Sequence, residues 1–417
     1  MITLHQPSPM TTHRGTRAQR LSWFVVAVVL GCVPAANGQA PGVVSEILVH
    51  GNHTTPDAEI LALAGLHVGD PATGDLLENA AQQLRASGRF EAVDVRRRYR
   101  SIANPSEILV VLLVDERPPR SAGMWLPIVQ HRDGYGMTYG ARASFVDLFG
   151  PRTRASVPAT WGAERRAALE IERTFERGLL TRARGTVSVS RRVNPRFDLA
   201  DSRREALLQA DRSLGRWLRV GAGGRVSDVT FAGRSERHRS AGAQVVFDTR
   251  LDPSFPRNAV QVTAAWEGMA FPRTDAHRLS ADMRGYLGVG GPAVLALRGQ
   301  IMRASSPLPL SEQPLLGGTE SLRGYRAGFR AGDSLAALSA ELRLPVTSPV
   351  RYGRMGMRTF VDLGTTWDAT ERLKKQRFDR GAGAGIYFGA AMFQAGADVA
   401  WPEHGRPRLH ITLGTTF

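Results

Sequence analysis

The chain offers little for covalent chemistry and much for charge recognition. It contains no Gly-x-Ser-x-Gly and no His-Glu-x-x-His, so a serine hydrolase and a zinc protease lack their motifs. His50 and His53 have a ligand-like spacing, but no third ligand follows nearby and a polar turn accounts for them. The run GAGAG from Gly381 to Gly385 lacks dinucleotide-fingerprint spacing and lies in no β-α-β unit, so it reads as a bend in a strand. The expectation is therefore no enzyme: no catalytic residue, no metal and no cofactor. What stands out is LLGGTESLRGYRAGFRAGD, Leu315 to Asp333, lying between two strand-like segments. A hairpin needs only a few turn residues. Arginines in this number raise the prospect of planar, two-pronged hydrogen bonds to carboxylates.

Most of the chain around that stretch reads as β-structure. From Ser121 to Phe417, Gly, Asn, Asp and Pro punctuate short segments that alternate apolar with polar residues. In LHITLGTTF, Leu409, Ile411, Leu413, Thr415 and Phe417 share one face and His410 lies on the other. In RTFVDLGTTW, Val361, Leu363, Thr365 and Trp367 oppose Arg358, Asp362 and Thr366. In ALSAELRLPV, Leu338, Leu342, Leu344 and Val346 oppose Ser339, Glu341 and Arg343. The pattern by itself leaves a soluble sandwich open. A run this long, closed by an aromatic and preceded by an export signal, favours a membrane barrel with its apolar face toward lipid. Divided into ~10-residue strands, roughly 300 residues give about 16 strands.

The export signal is RAQRLSWFVVAVVLGCVPAANGQA, in which arginines precede an apolar run and then small residues. It is too short to span a bilayer comfortably. Residues 1–38 are read as a signal peptide, with Ala36 and Gly38 preceding a cut before Gln39. A second reading stays open, in which Val29-Leu30-Gly31-Cys32 is a lipoprotein-type box with Cys32 acylated. Cys32 is the one cysteine, so the exported chain has no internal disulfide to staple it. Net charge is +16, and lysine occurs only at Lys374 and Lys375. Either a GC-rich genome or a need for guanidinium groups accounts for that bias. The basic residues are spread over strands, not gathered with aromatic partners, so nucleic acid is not expected as a partner.

Between the signal and the barrel, residues 43–118 read as β-α-α-β-β. Leu76, Leu77, Ala80, Ala81 and Leu84 keep helical spacing, with Thr73 or Asp75 as cap and Gly88 as stop. The run RRRYR, Arg96 to Arg100, reads as a solvated strand face, with anionic headgroup contact as the alternative. The HGN turn followed by Thr-Thr, the helix end ASGRF and the closing LLVDERP resemble a POTRA domain. That resemblance implies a sheet edge able to capture extended polypeptide clients, which any open edge can do. A plain spacer fold is the alternative.

The arginine-glycine stretch carries a second resemblance. GGTESLRGYRAGF is similar to the signature loop of the BamA/TamA-type outer-membrane proteins, the POTRA-barrel or surface-antigen superfamily. GDSLAALSAELRLP, TFVDLG and GAGAGIYFG resemble the strands after that loop, and VDLFGPRTRAS and FDTRLDPSFP resemble earlier motifs. The resemblance implies a barrel at residues 121–417 in the bacterial outer membrane, with the POTRA domain in the periplasm. It also implies a loop that folds back into the lumen with Arg323, Gly324 and Tyr325 at its tip. A buried guanidinium must meet carboxylates, and Glu341 and Asp362 lie on the polar faces of the next two strands; the resemblance assigns the same contact. Phe417 is read as the C-terminal insertion signal. The implied function is insertion or secretion of polypeptides. The alternatives are a lipid or lipopolysaccharide export pore, or a passive pore or surface antigen. The implied partners are outer-membrane lipids, unfolded clients and accessory assembly proteins. A single POTRA domain departs from general assembly factors, which carry several, and suits a dedicated role.

Overall fold

The computed structural model describes residues 42–52, 55–87, 89–100, 104, 106–116, 123–175, 178–250, 253, 255–350, 353–390 and 393–415. Residues 1–38 with Cys32, as well as His53, Gly88 and Phe417, lie outside that set. The N-terminal unit contains β1 (Val43–His50), α1 (Asp57–Ala64), α2 (Gly74–Ala86), β2 (Phe90–Tyr99) and β3 (Glu107–Glu116). The Thr73 side chain caps α2 by accepting from the Leu76 N–H. β3 is central, parallel to β1 and antiparallel to β2. Its alternate residues Ile108, Val110, Leu112 and Val114 form the core with Leu77, Ala80, Ala81 and Leu84 of α2. The helical stripe and the strand alternation thus meet on one face.

The remaining strands close on themselves. The first half of the wall is β4 (Met124–Arg132), β5 (Gly136–Val146), β6 (Thr153–Gly162), β7 (Glu164–Thr174) and β8 (Arg182–Asn194). It continues with β9 (Leu199–Leu214), β10 (Leu218–Phe231), β11 (Arg234–Asp248), β12 (Ala259–Ala270), β13 (Asp275–Gly290) and β14 (Ala293–Ala304). A long loop follows, with β15 (Leu315–Leu316) and β16 (Arg330–Ala331) paired at its base. The wall resumes with β17 (Ser334–Val350), β18 (Gly353–Trp367), β19 (Asp379–Ala390), β20 (Phe393–Pro402) and β21 (Arg408–Thr415).

These sixteen wall strands form one closed antiparallel barrel in which β14 pairs with β17 past the loop and β21 returns to β4. Alternation decides what each strand shows. Val361, Leu344, Leu409 and Ile411 are exposed on the outside, while Glu341, Asp362 and His410 are buried inside. An inside rich in arginine and carboxylate with an outside rich in Val, Leu and Ala is the inverse of a water-soluble barrel. It is the arrangement expected of a wall bathed in lipid. No helix among the described residues is long and apolar enough to cross a membrane.

Candidate functional site in the barrel lumen

The loop of residues 305–333 enters the barrel because it carries its own core. Leu316, Leu322 and Tyr325 are buried against Leu335 and Ala337, which point inward from β17. Glycine permits the tight folding at two decisive places. Gly317 has φ +114°, and a Cβ there would lie 2.0 Å from the Arg326 carbonyl oxygen. Gly324 has φ +94°, and a Cβ there would press on the backbone of Trp401 and Pro402 in β20.

The tip delivers Arg323 to a cluster of acids. Its Nε and Nη2 donate to Asp362 at 2.7 and 2.9 Å, and its backbone N–H donates to the same carboxylate at 3.1 Å. Nη1 donates to Glu341 at 2.7 Å. Ser339 lies between, donating to Asp362 at 2.7 Å and accepting from Arg323 Nη2 at 3.2 Å. The guanidinium stacks over Phe360, 3.3 Å from the ring centroid. Arg323, Glu341 and Asp362 are all nearly excluded from solvent. The acids are matched by further arginines: Arg343 donates to Glu341 at 2.7 Å, and Arg358 donates to both oxygens of Asp398 at 2.7 and 2.9 Å. Removing one member would strand a buried opposite charge, which makes the geometry costly to undo.

The other two tip residues reach different parts of the wall. Tyr325 stacks with Phe329 at 4.4 Å between centroids, and its hydroxyl accepts from the Glu403 N–H at 3.2 Å. The Gly324 N–H donates to Nε2 of His410 at 2.9 Å. Accepting there requires the His410 proton on Nδ1, which faces Asp133 at 2.7 Å. His410 lies on β21 and Asp133 lies in the turn between β4 and β5. The tip therefore touches both strands that close the barrel. Glu320 adds a contact on the same side, accepting from Arg132 of β4 at 3.0 Å.

Sequence reasoning named Arg323, Gly324, Tyr325, Glu341 and Asp362, and the structure brings Arg323 together with both acids. It placed His410 and Ser339 on polar strand faces without assigning them to the site, and it did not name Asp398, Asp133 or Phe360. Asp398 and His410 are direct register partners and were reachable by the same period-2 count. The GAGAG run has a different use from the bend expected of it. The ladder of β19 runs without a register shift, and a Cβ on Gly381 would lie 2.0 Å from the Arg323 carbonyl oxygen. A Cβ on Gly385 would lie 2.0 Å from an Asp398 carboxylate oxygen. These glycines clear room for the loop tip and its acids. Among the described residues no cluster of His, Cys, Asp and Glu is arranged to hold a metal.

Comparison with known proteins places this geometry. The profile of the Omp85 superfamily domain matches residues 197–417, and that of the POTRA surface antigen variable number repeat matches residues 42–117. No curated protein matches the chain in sequence. BamA from Haemophilus ducreyi lacking POTRA domains 1–3 superposes with TM-score 0.60 at 14% identity, over 90% of this chain and 85% of that one. CdiB from Escherichia coli superposes with TM-score 0.55 at 12% identity, over 96% and 97% of the two chains. CdiB from Acinetobacter baumannii superposes with TM-score 0.53 at 14% identity, over 90% and 74%. At these identities the structures share a fold, and the family rests on the profiles. The chain belongs to the Omp85 superfamily of bacterial outer-membrane proteins, with a periplasmic POTRA domain ahead of a 16-stranded barrel.

Proposed function

We propose that the chain inserts or secretes polypeptides at the outer membrane, handing extended clients from the POTRA sheet to the barrel wall without a covalent step. The observation that carries this reading is the seam between β4 and β21. Among the described residues their ladder is limited to Leu413↔His131 and Gly414↔Gln130, whereas β20 and β21 run together from Phe393↔Thr415 to Ala400↔Arg408. A wall strand without a full ladder leaves backbone donors and acceptors in a medium that cannot satisfy them. An incoming strand that pairs there relieves that cost, so the seam favours strand addition. The loop tip, bound to β21 through His410 and to β4 through Glu320 and Arg132, is the strap that keeps the seam closed at rest.

The POTRA sheet supports the capture step in this reading. β1 is covered at its start by residues 69–71, with the Gly69 N–H donating to Val44 and the Val44 N–H donating to Asp70. That leaves β2 as the edge for a client.

Cysteines at Gln130 and Gly414, which are register partners, test the proposal. Gly414 has open space for a side chain. The oxidised Q130C/G414C pair should abolish client insertion or export, and reduction should restore it. A control pair across β20 and β21, V399C/L409C, should have no effect. Full activity of the oxidised seam variant would sink the reading.

A further inference from the structure

One sector of the outer wall carries charge where the fold calls for lipid contact. On β8, Val187 and Val189 are exposed outside while Ser188 is buried inside, so Arg191 faces outward by the same alternation. The identical count turns Arg165 on β7, Arg204 on β9, and Arg237 and Arg239 on β11 outward, and all five are exposed. They sit toward the ends of their strands that lie away from the periplasm: the connection between β6 and β7 immediately precedes Arg165, and that between β10 and β11 lies just before Arg237. Further toward the periplasm the same faces carry Leu169, Val187, Leu208 and Val245, while Val189 and Val226 are the register partners of Arg204 and Arg239. The arginines thus step across neighbouring register rows, from Arg165 and Arg191 to Arg204 and Arg237 and then to Arg239. Trp161 and Tyr139, exposed register partners on β6 and β5, continue the series as an aromatic belt does.

The arrangement is unfavourable without an anion. Arg165 and Arg191 are direct cross-strand partners on one face, and like charges so placed repel. Among the described residues neither has a carboxylate within ion-pair distance, in contrast to Arg166 and Arg184, which face inward and bond Glu170 and Glu172. Asp228 is an outward acid in the group, the register partner of both Arg204 and Arg237, and Arg237 already engages it through two hydrogen bonds at 2.7 and 3.2 Å.

We propose that this sector is a binding site for the phosphorylated glycolipid of the outer leaflet. Its phosphates are held by the guanidiniums of Arg165, Arg191 and Arg204, and its acyl chains lie on the valine and leucine face below. The guanidinium fork engages phosphate oxygens in pairs, and a bridging phosphate converts the repulsion between Arg165 and Arg191 into attraction. An outward basic cluster level with the headgroups is the geometry that attracts anionic lipid. The site depends on the barrel's outer-membrane location and not on what the barrel transports.

The test uses the full chain purified in detergent and titrated with lipid A bisphosphate, with enzymatically dephosphorylated lipid A, and with phosphatidylglycerol. The wild-type protein should bind the bisphosphate at least tenfold more tightly than either comparison lipid. The triple variant R165Q/R191Q/R204Q should lose that preference, and R165K/R191K/R204K should keep part of it, with all variants retaining the gel shift of a folded barrel on heating. Equal affinity of the wild type for phosphorylated and dephosphorylated lipid A would overturn the proposal, and so would equal affinity for phosphatidylglycerol. Those two comparisons need no variant, so they decide the matter even if the triple variant fails to fold.

Discussion

β17 and β18 run as register partners from Ser334↔Trp367 to Val350↔Gly353, while among the described residues β21 and β4 meet at two positions. Most of the wall is therefore held by a backbone ladder, which is insensitive to which side chains the strands carry. The seam is held instead by single contacts, two of them from the loop: the Gly324 backbone N–H to His410 and Glu320 to Arg132, with His410 to Asp133 and the His131 ring to the Ile411 carbonyl joining the strands directly. A ladder breaks only as a unit. A few side-chain contacts can be made and lost singly, and that is what a wall needs if it is to open in one place. Substitutions in the loop and its contacts should therefore move the seam and leave the rest of the barrel alone.

The largest effect is expected from Arg323→Ala. It leaves Asp362 buried without its main partner and Glu341 with Arg343 in its place, a loss of about 3–5 kcal/mol, reduced by whatever water reaches the lumen. The loop should become protease-sensitive, pore conductance should rise and become noisy, and client export should fall, with barrel yield unchanged. Arg323→Lys should recover only part, because a point charge cannot bridge both acids as the fork does. Wild-type conductance and export from Arg323→Ala would remove the anchoring role. Gly381→Ala asks the same question without touching a charge. Its Cβ would lie 2.0 Å from the Arg323 carbonyl, a backbone atom that cannot swing aside, so the tip must back out. Agreement between the two variants would show that the seated position matters and not the charge alone.

Next in size is a pH effect at the base of the loop. Glu312 lies beyond the wall strands, nearly buried, accepting from Arg203 at 2.8 Å with His238 at 3.5 Å. Burial pushes its carboxyl up, but His238 and the charges of Arg203, Arg225 and Arg278 outweigh that and bring it down to about 2. A depressed carboxylate stabilises the folded state above its ordinary value near 4.5, and that contribution, on the order of 3 kcal/mol, is lost as pH falls from there toward 2. Conductance recorded from pH 6 to pH 2.5 should show the loop loosening over that window. Glu312→Gln should be loosened at every pH and show no step. A step that persists in Glu312→Gln would assign it to another group.

How far this arrangement was legible depended on whether the signal was local. Period-2 alternation is local, and it put Glu341, Asp362 and His410 on the polar faces of their strands, while segment length implied the strand number; which face looks inward follows only once the wall is read as a membrane barrel. Glycine chemistry was legible only in part: GAGAG reads as a bend along its own strand, and its use appears once Arg323 arrives from 58 positions earlier in sequence. The His410–Asp133 contact spans 277 positions, joining the last strand to the first turn. No local pattern encodes it, because it exists only when the barrel closes.

The smallest effect separates the seam's contacts from one another. His410 is 2% exposed, so His410→Ala leaves the buried Gly324 N–H and the half-buried Asp133 carboxylate without their partner at a cost of about 1–3 kcal/mol. Glu320 is 71% exposed at its side chain, and an ion pair so open to solvent contributes about 0–1 kcal/mol and fades with salt. If the strap rests on its buried member, Glu320→Gln should change the rate of disulfide formation in the Q130C/G414C background less than twofold, and not at all in high salt. His410→Ala should change that rate several-fold and without salt dependence. An equal change from both would mean that the seam is governed by the charge at its mouth, and the burial of His410 would then have no bearing on how the wall opens.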